Sequence, residues 1–224
     1  MATLQQPAGD APESARRITG SSLSRVIGFS DGIVAVAITL LALPLAAIDV
    51  PADMSNPFQI ITENWPPIAA FLLTFLIVFL LWQGHHRVFE NFVAINNQIM
   101  WLNALWLLTI VFLPWPSRLL DLGAESQNAV WLYCATLCIN ALALHLIFDQ
   151  GRRHPDLVKP GHPPWNTWIS ISLIFCVLFF IMTVVAFFAP RIALSLLWLF
   201  IPLRLLLQQD GRLRTRLRNR VEKA

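Results

Sequence analysis

Apolar residues occur along this chain in long blocks, and short polar segments rich in proline separate them. A block of about 20 residues, wound as an α-helix, crosses the hydrocarbon layer of a bilayer. The blocks predict six membrane-spanning helices, at approximately 25–45, 65–86, 98–115, 128–148, 165–189 and 190–207. Their polar flanks predict a disordered segment at 1–22 and a basic tail at 209–224, on either side of a helical domain at 23–208.

The composition supports a membrane protein and excludes an ordinary soluble domain. The chain is 56% hydrophobic and only 13% charged, well outside the range of soluble domains. Its net charge of +3 comes from basic residues at helix ends and in the tail. Because no nucleic-acid-binding motif accompanies them, no nucleic-acid partner is expected. The fold class is therefore all-α and polytopic.

The basic residues also predict the orientation. With both termini on the cytoplasmic side, all but two of the 16 Lys and Arg residues lie inside, the exceptions being Arg118 and Arg191. This asymmetry is what the positive-inside rule describes. No apolar signal-peptide core precedes the first block, so we expect no cleaved signal peptide, and the first span is expected to direct its own insertion.

Enzyme and metal chemistry have no signature in the chain. Nucleophile elbows, phosphate loops, dinucleotide fingerprints and zinc-ligand spacings are all missing. Cys134, Cys138 and Cys176 lie inside apolar blocks, where small packing residues are the expected reading. We expect no catalytic residue, no metal and no cofactor.

The first apolar block carries Arg25 and Asp31 near its N-terminal end. An ionisable side chain within a membrane is costly unless it is paired, and it is by default a functional hypothesis. At about 100° per residue, Asp31 lies roughly 140° from Val36. Large apolar residues share the stripe of Val36, namely Phe29, Ile33, Leu40 and Leu43. If that stripe faces a symmetry axis, Asp31 faces its own subunit; on periodicity alone, however, the stripe is more typical of packing against another helix.

The same block resembles a family signature. It reads Arg25-x-x-x-Phe29-Ser30-Asp31, then a run of small and apolar residues, then Thr39-Leu40-Leu. This is similar to the first helix of bacterial members of the transmembrane protein 175 family, which are potassium channels. Two later segments resemble the same family, namely Trp82 with His85, His86 and Phe89, and Asn103 followed by Phe-Leu-Pro-Trp-Pro at 112–116. The last three spans match only in length and topology.

The resemblance implies a homotetramer with one six-helix repeat per subunit, in which the first helix lines a pore around a fourfold axis. Val36 would form the narrowest constriction, at a position where relatives usually carry a larger Ile or Leu. Leu40 and Leu43 would continue the lining. Thr39, one turn above the constriction, would supply a hydroxyl for cation selectivity, and the permeant ion would be K⁺.

The resemblance also guides the expected partners of the charged residues. We expect Arg25, Ser30 and Asp31 to bond to a group of polar side chains at the same depth, drawn from Trp82, His85, His86, Asn96, Asn97 and Asn103. The adjacent histidines leave two readings open. They are either a pH sensor, since His titrates near neutral pH, or a hydrogen-bonded pair at a helix interface.

The expected function is a K⁺-selective cation channel of the bacterial inner membrane, with modest selectivity over Na⁺. A proton-permeable pathway through the same pore and a non-conducting membrane scaffold are the alternatives. In the tail, Leu213, Leu217 and Val221 share one helical row among arginines. This pattern either binds anionic lipid on the inner leaflet or only fixes the topology, and the two readings are compatible.

Overall fold

The computed structural model describes residues 17–49, 57–122, 126–160 and 165–202. Its helices are α1 (Gly20–Leu40), α2 (Leu43–Ala46), α3 (Pro57–Glu63), α4 (Trp65–Phe89), α5 (Asn97–Phe112), α6 (Pro114–Leu122), α7 (Gln127–Arg153), α8 (Trp165–Phe188) and α9 (Pro190–Pro202). Strands β1 (Ile18–Thr19) and β2 (Ala94–Ile95) form a small antiparallel sheet, and a 3-10 turn covers Pro155–Leu157. The all-α prediction is confirmed.

Five helical stretches of the described chain are long and apolar enough to cross a membrane. They are Gly20–Ala46, Trp65–Phe89, Asn97–Leu120, Gln127–Arg153 and Ile171–Phe188. α9 is apolar but shorter, and residues 203–207 of the sixth predicted span lie outside the described residues. The count of six spans therefore stays a prediction.

The proline-rich end of the third span differs from the prediction. The span was expected to stop at Pro114-Trp115-Pro116, but α5 ends at Phe112 and α6 begins at Pro114. Proline is tolerated in the first turn of a helix because the N–H it lacks has no partner within the helix there. The prolines therefore restart a helix here, and a continuous apolar stretch reaches Leu120.

The prediction of disorder at 1–22 is wrong for its last six positions. Residues 17–22 contain β1 and the first turn of α1, and Ile18 pairs with Ile95 across the small sheet. The backbone of β1 thus finds hydrogen-bond partners that a short polar segment lacks on its own. Residues 1–16 of that prediction, and the basic tail, lie outside the described residues.

The core lies among α4 to α9, and α1 is attached to it along one face. The largest fully buried side chains include Trp106, Tyr133, Phe89, Phe179 and Phe200. Many large apolar side chains stay exposed in the protomer, as a lipid-facing or subunit-facing surface requires. The buried Ser, Thr, Asn and His side chains bond to one another or to helix carbonyls, which lowers their cost in an apolar core.

One such cluster fixes the end of the bundle opposite to β1. Thr74 Oγ1 lies 2.9 Å from Ser117 Oγ, and the Tyr133 hydroxyl donates to Thr74 Oγ1 at 3.1 Å. Three helices, α4, α6 and α7, are therefore tied together by side chains that no sequence motif singled out.

Candidate functional site

α1 has one face buried in the protomer and an opposite face that is exposed. The buried positions are Leu23, Ser30, Val34, Ala37 and Leu41. On the other side, Phe29 is 66% exposed, Val36 59%, Leu40 41% and Leu43 61%. The small residues Gly28, Gly32 and Ala35 and the hydroxyl-bearing Thr39 are exposed as well. Four members of the predicted apolar stripe thus point away from the protomer's own core, whereas the fifth, Ile33, is half-buried and packs against that core.

The Thr39 hydroxyl is hydrogen-bonded to Val36, which lies one helical turn earlier on the same face. Thr39 Oγ1 donates to the Val36 carbonyl at 2.7 Å. This bond uses the hydroxyl hydrogen, so the oxygen lone pairs of Thr39 are left to accept. An oxygen whose hydrogen is already used presents a negative end to any approaching cation.

Asp31 lies on the side of α1 that faces α4. The Trp82 indole N–H donates to Asp31 Oδ1 at 2.7 Å, and His86 Nδ1 lies 3.8 Å from Asp31 Oδ2. His86 Nε2 lies 3.2 Å from Glu90 Oε1. The Asp31 and His86 side chains are about one third exposed, at 34% and 35%. The carboxylate is therefore paired with α4 and does not lie on the exposed stripe.

Ser30 belongs to a second, fully buried chain of hydrogen bonds. Its hydroxyl donates to the Val26 carbonyl at 2.9 Å and accepts from Asn103 Nδ2 at 3.0 Å. His85 Nε2 lies 2.7 Å from Asn103 Oδ1, an arrangement in which the imidazole N–H donates to the amide oxygen. Asn103 thus links α1, α4 and α5 through one side chain.

Aromatic rings hold the imidazole in place. The His85 ring stacks on Phe89 with centroids 4.3 Å apart and on Trp106 at 4.0 Å. Asn96 accepts from the Ile99 backbone N–H at 2.9 Å and so caps α5. The expected partner Asn96 therefore has a capping role, and Asn103 is the asparagine that reaches α1.

Two residues of the first-helix signature lie outside this network. Arg25 is exposed, and its guanidinium contacts Ser22 Oγ at 3.4 Å, so it does not bond to the His and Asn group as expected. By the helical period it lies close to the Val36 stripe, on the side away from α4. Phe29 is likewise exposed and takes no part in the hydrogen bonds.

Some residues of the site escaped sequence reasoning. Glu90 lies one helical turn after His86, a spacing at which charged side chains meet, so the i,i+4 rule was the available signal. Trp106 stacks on His85 from another helix. A stacking partner on a separate helix leaves no periodic trace in the sequence.

These features define a helical multi-pass membrane protein whose first helix is anchored by polar bonds on one side and presents apolar residues and a hydroxyl on the other. A family profile described as "Endosomal/lysosomal potassium channel TMEM175" matches residues 25–114. That region holds the first-helix signature and both segments that complete the polar network. The chain belongs to the TMEM175 family, a family of ion channels and not of enzymes.

Individual relatives and a solved structure are similar to this chain and belong to the same family. A potassium channel of Streptomyces collinus is 31% identical over 140 residues, covering 62% of this chain and 66% of the relative. The zebrafish endosomal/lysosomal proton channel TMEM175 is 29% identical over 138 residues, covering 62% of this chain and 26% of that protein. The crystal structure of a potassium-selective TMEM175 homologue from Chamaesiphon minutus superposes with a TM-score of 0.70 at 22% identity, covering 84% of this chain and 98% of that one.

The matched part of this chain spans about two thirds of the Streptomyces relative and about a quarter of the zebrafish one. At 22% identity, the Chamaesiphon structure supports the fold alone.

Proposed function

We propose that this protein is a K⁺-selective cation channel, a homotetramer in which α1 of each protomer lines a pore around a fourfold axis. The observation that carries the proposal is the exposed stripe of Val36 and Leu40 on α1, which Leu43 continues at the start of α2, while the opposite face of α1 is anchored by Ser30 and Asp31. The Streptomyces relative, which bears the name potassium channel, supports K⁺ as the permeant ion.

The selectivity follows from dehydration at an apolar ring. Four Val36 side chains around an axis give a constriction that passes ions only after part of their water is lost, and such rings also gate by dewetting. Na⁺ holds its water more tightly than K⁺, so a weakly coordinating ring disfavours Na⁺. The Thr39 oxygens, with their hydrogens on the Val36 carbonyls, replace part of the lost water. Selectivity over Na⁺ is modest because no dedicated carbonyl filter contributes.

The protein is proposed to lie in the bacterial inner membrane with both termini in the cytoplasm. The distribution of basic residues supports this orientation. The basic tail would then lie against anionic lipid of the inner leaflet. The ion is cargo, and no cofactor is needed for passive permeation.

Flux through liposomes tests the proposal directly. Purified protein is reconstituted in vesicles and exposed to a K⁺ gradient and then to a Na⁺ gradient, with valinomycin giving the maximal K⁺ signal. K⁺-driven flux without valinomycin that exceeds Na⁺-driven flux supports the channel. Absence of both fluxes in wild type and in Val36→Ala, with folded protein in the vesicles, leaves the scaffold as the remaining function.

Proton permeation through the same pore is the second candidate. The zebrafish relative is named a proton channel, and His86 lies beside Asp31 at the N-terminal half of α1. A pH-sensitive dye in the same vesicles separates the two functions. Acidification under a proton gradient, with K⁺ flux no larger than Na⁺ flux, would favour the proton pathway.

A further inference from the structure

The N-terminal foot of α1 is held by a small sheet. β1 pairs with β2 in antiparallel register, with Ile18 opposite Ile95 and Thr19 opposite Ala94. Gly20 follows β1 directly at φ 54°, a left-handed conformation that favours glycine. The strand therefore turns without a linker into α1, and any displacement of the helix foot pulls on the strand.

The segment that pairs with β1 is also tied to the connection after α7. Val93 N–H donates to the Leu157 carbonyl at 2.9 Å, and Lys159 N–H donates to the Asn91 carbonyl at 2.9 Å. Phe92 and Val158 face each other as an isolated bridge and are both buried. We call residues 17–19, 91–95 and 156–159 the clasp.

An ion pair joins the first segment of the clasp, residues 17–19, to its last segment, residues 156–159. Arg17 Nη1 lies 2.5 Å from Asp156 Oδ2, and the side chains are 34% and 50% exposed. The pair joins the residue before β1 to the 3-10 turn after α7, so it links segments that share no helix. The residues just before α1 are thus held to 94–95 by strand pairing and to Asp156 by an ion pair, and the segments 91–95 and 156–159 are joined to each other by backbone bonds and a buried apolar contact.

Higher along α1 the attachment changes in kind. Ser30 and Asp31 bond to α5 and α4 about midway along α1, whereas the buried side chains beyond them are Val34, Ala37 and Leu41. Those three side chains are apolar, and apolar contacts are not directional. The segment that carries Val36 and Thr39 is therefore held less rigidly than its foot.

We propose that the clasp is a restraint that fixes the foot of α1 and, through it, the width of the ring formed by Val36. The proposal rests on the channel function proposed above. Because a narrow apolar ring dewets, the ring limits conduction. When the contacts of the clasp are weakened, α1 can shift and the Val36 ring widens. When the clasp is cross-linked, the ring stays narrow. An event on the cytoplasmic side that moves the α7–α8 connection would then change the width of the Val36 ring.

The ion pair provides the first test. Arg17→Ala and Asp156→Ala are each expected to raise K⁺ flux, by about fivefold at most because exposed ion pairs are weak. The double variant rises no further than either single one, and the exchanged pair Arg17→Asp/Asp156→Arg returns towards wild type. Arg153→Ala is the matched control, since it removes an arginine paired within α7 to Asp149. Equal flux in all variants, or the same increase in the control, overturns the proposal.

A reversible lock provides the second test. Thr19→Cys/Ala94→Cys places two cysteines at directly paired positions, within the geometry that a disulfide accepts. The variant is built with Cys134, Cys138 and Cys176 replaced by Ala, and disulfide formation is followed by loss of thiol labelling. Oxidation is expected to lower K⁺ flux several-fold and reduction to restore it, with each single-cysteine variant unaffected. A fully formed disulfide that leaves flux unchanged counts against the clasp.

A readout without conduction separates the two proposals. Amide hydrogen exchange in α1 residues 20–27 is expected to speed up in Arg17→Ala, while exchange in α7 stays as in wild type. Absence of K⁺ flux in wild type and in Val36→Ala refutes the channel and leaves this readout intact. Unchanged exchange in α1 refutes the clasp whether or not the protein conducts.

Discussion

Val36 is the residue at which we expect side-chain size to change ion flux and not folding. Its side chain is exposed in the protomer, so Val36→Ala opens no cavity inside the subunit, and stability is expected to change by about 0.5 kcal/mol or less. In the proposed pore the same change would widen the ring at its narrowest point. We expect cation flux to rise several-fold and the K⁺/Na⁺ ratio to fall in the liposome assay.

An equally exposed valine elsewhere supplies the control. Val177 on α8 is 50% exposed in the protomer, and Val177→Ala removes the same atoms from a helix that is not proposed to line the pore. Its flux is expected to match wild type. If both variants raised flux equally, the increase would reflect a general loosening of the protein and Val36 would lose its special role.

Thr39 is the residue at which a single oxygen is expected to set selectivity. Thr39→Val keeps the shape and removes the hydroxyl, whereas Thr39→Ser keeps the hydroxyl and its bond to the Val36 carbonyl. A contact worth about 1 kcal/mol corresponds to roughly fivefold in a ratio. We expect the K⁺/Na⁺ permeability ratio to fall by about that factor in Thr39→Val and to be kept in Thr39→Ser. Equal ratios in all three proteins would remove the hydroxyl from the mechanism.

At the scale of elements, Asn103 joins α1, α4 and α5. Asn103→Leu takes the acceptor from the buried His85 N–H and the donor from Ser30. An unsatisfied buried donor costs about 1–3 kcal/mol. We expect a lower thermal midpoint for the variant in detergent, together with altered flux because α1 loses its anchor.

Asn64 serves as the comparison for that variant. Its amide donates to the Ile60 carbonyl only four residues earlier in the chain, so the bond is local and does not bring together distant segments. Asn64→Leu is expected to leave the midpoint nearer to wild type. A larger loss for Asn64→Leu than for Asn103→Leu would mean that the three-helix link is not a main support of the fold.

The sequence predicts some of these elements and not others for a physical reason. The helical period places Asp31 and Val36 on different faces of α1. The structure has that arrangement because both residues lie in one continuous helix, in which the period fixes the angle between them. The small sheet was missed because strands of two residues have no period to detect. The Arg17–Asp156 pair joins residues far apart in sequence, and only the packed bundle brings them together.

The helix that begins at Pro114 was also not predicted from the sequence. α5 does end just before Pro114, close to where the pattern indicated, but Pro114 and Pro116 are favourable in the first turn of the next helix. Whether a proline stops a span or restarts it depends on what the following residues pack against. Here Ser117 reaches Thr74, and that contact was not visible in the linear pattern.

At the scale of the whole molecule, closing a pore requires several copies of α1 to approach one another. Gly28 and Gly32 lie on its exposed face, and a Cβ built on either meets nothing within 4 Å in the protomer. Glycine within a helix costs about 1 kcal/mol relative to alanine. The protomer gains nothing visible from these glycines, whereas in the proposed tetramer they would let a neighbouring copy approach closely.

Gly32→Leu tests that explanation. The protomer has room for the side chain and is expected to keep its thermal midpoint, but four leucines near the axis would crowd the assembly. Wild type is expected at four times the 25.3 kDa chain mass in native mass spectrometry. The variant is expected either to dissociate or to stay tetrameric with blocked flux. Ala104→Leu, which adds a similar side chain to an exposed position on α5, should keep both mass and flux. A tetrameric Gly32→Leu that conducts like wild type would show that α1 does not line a narrow pore, because a ring of four leucines cannot be added there without closing it.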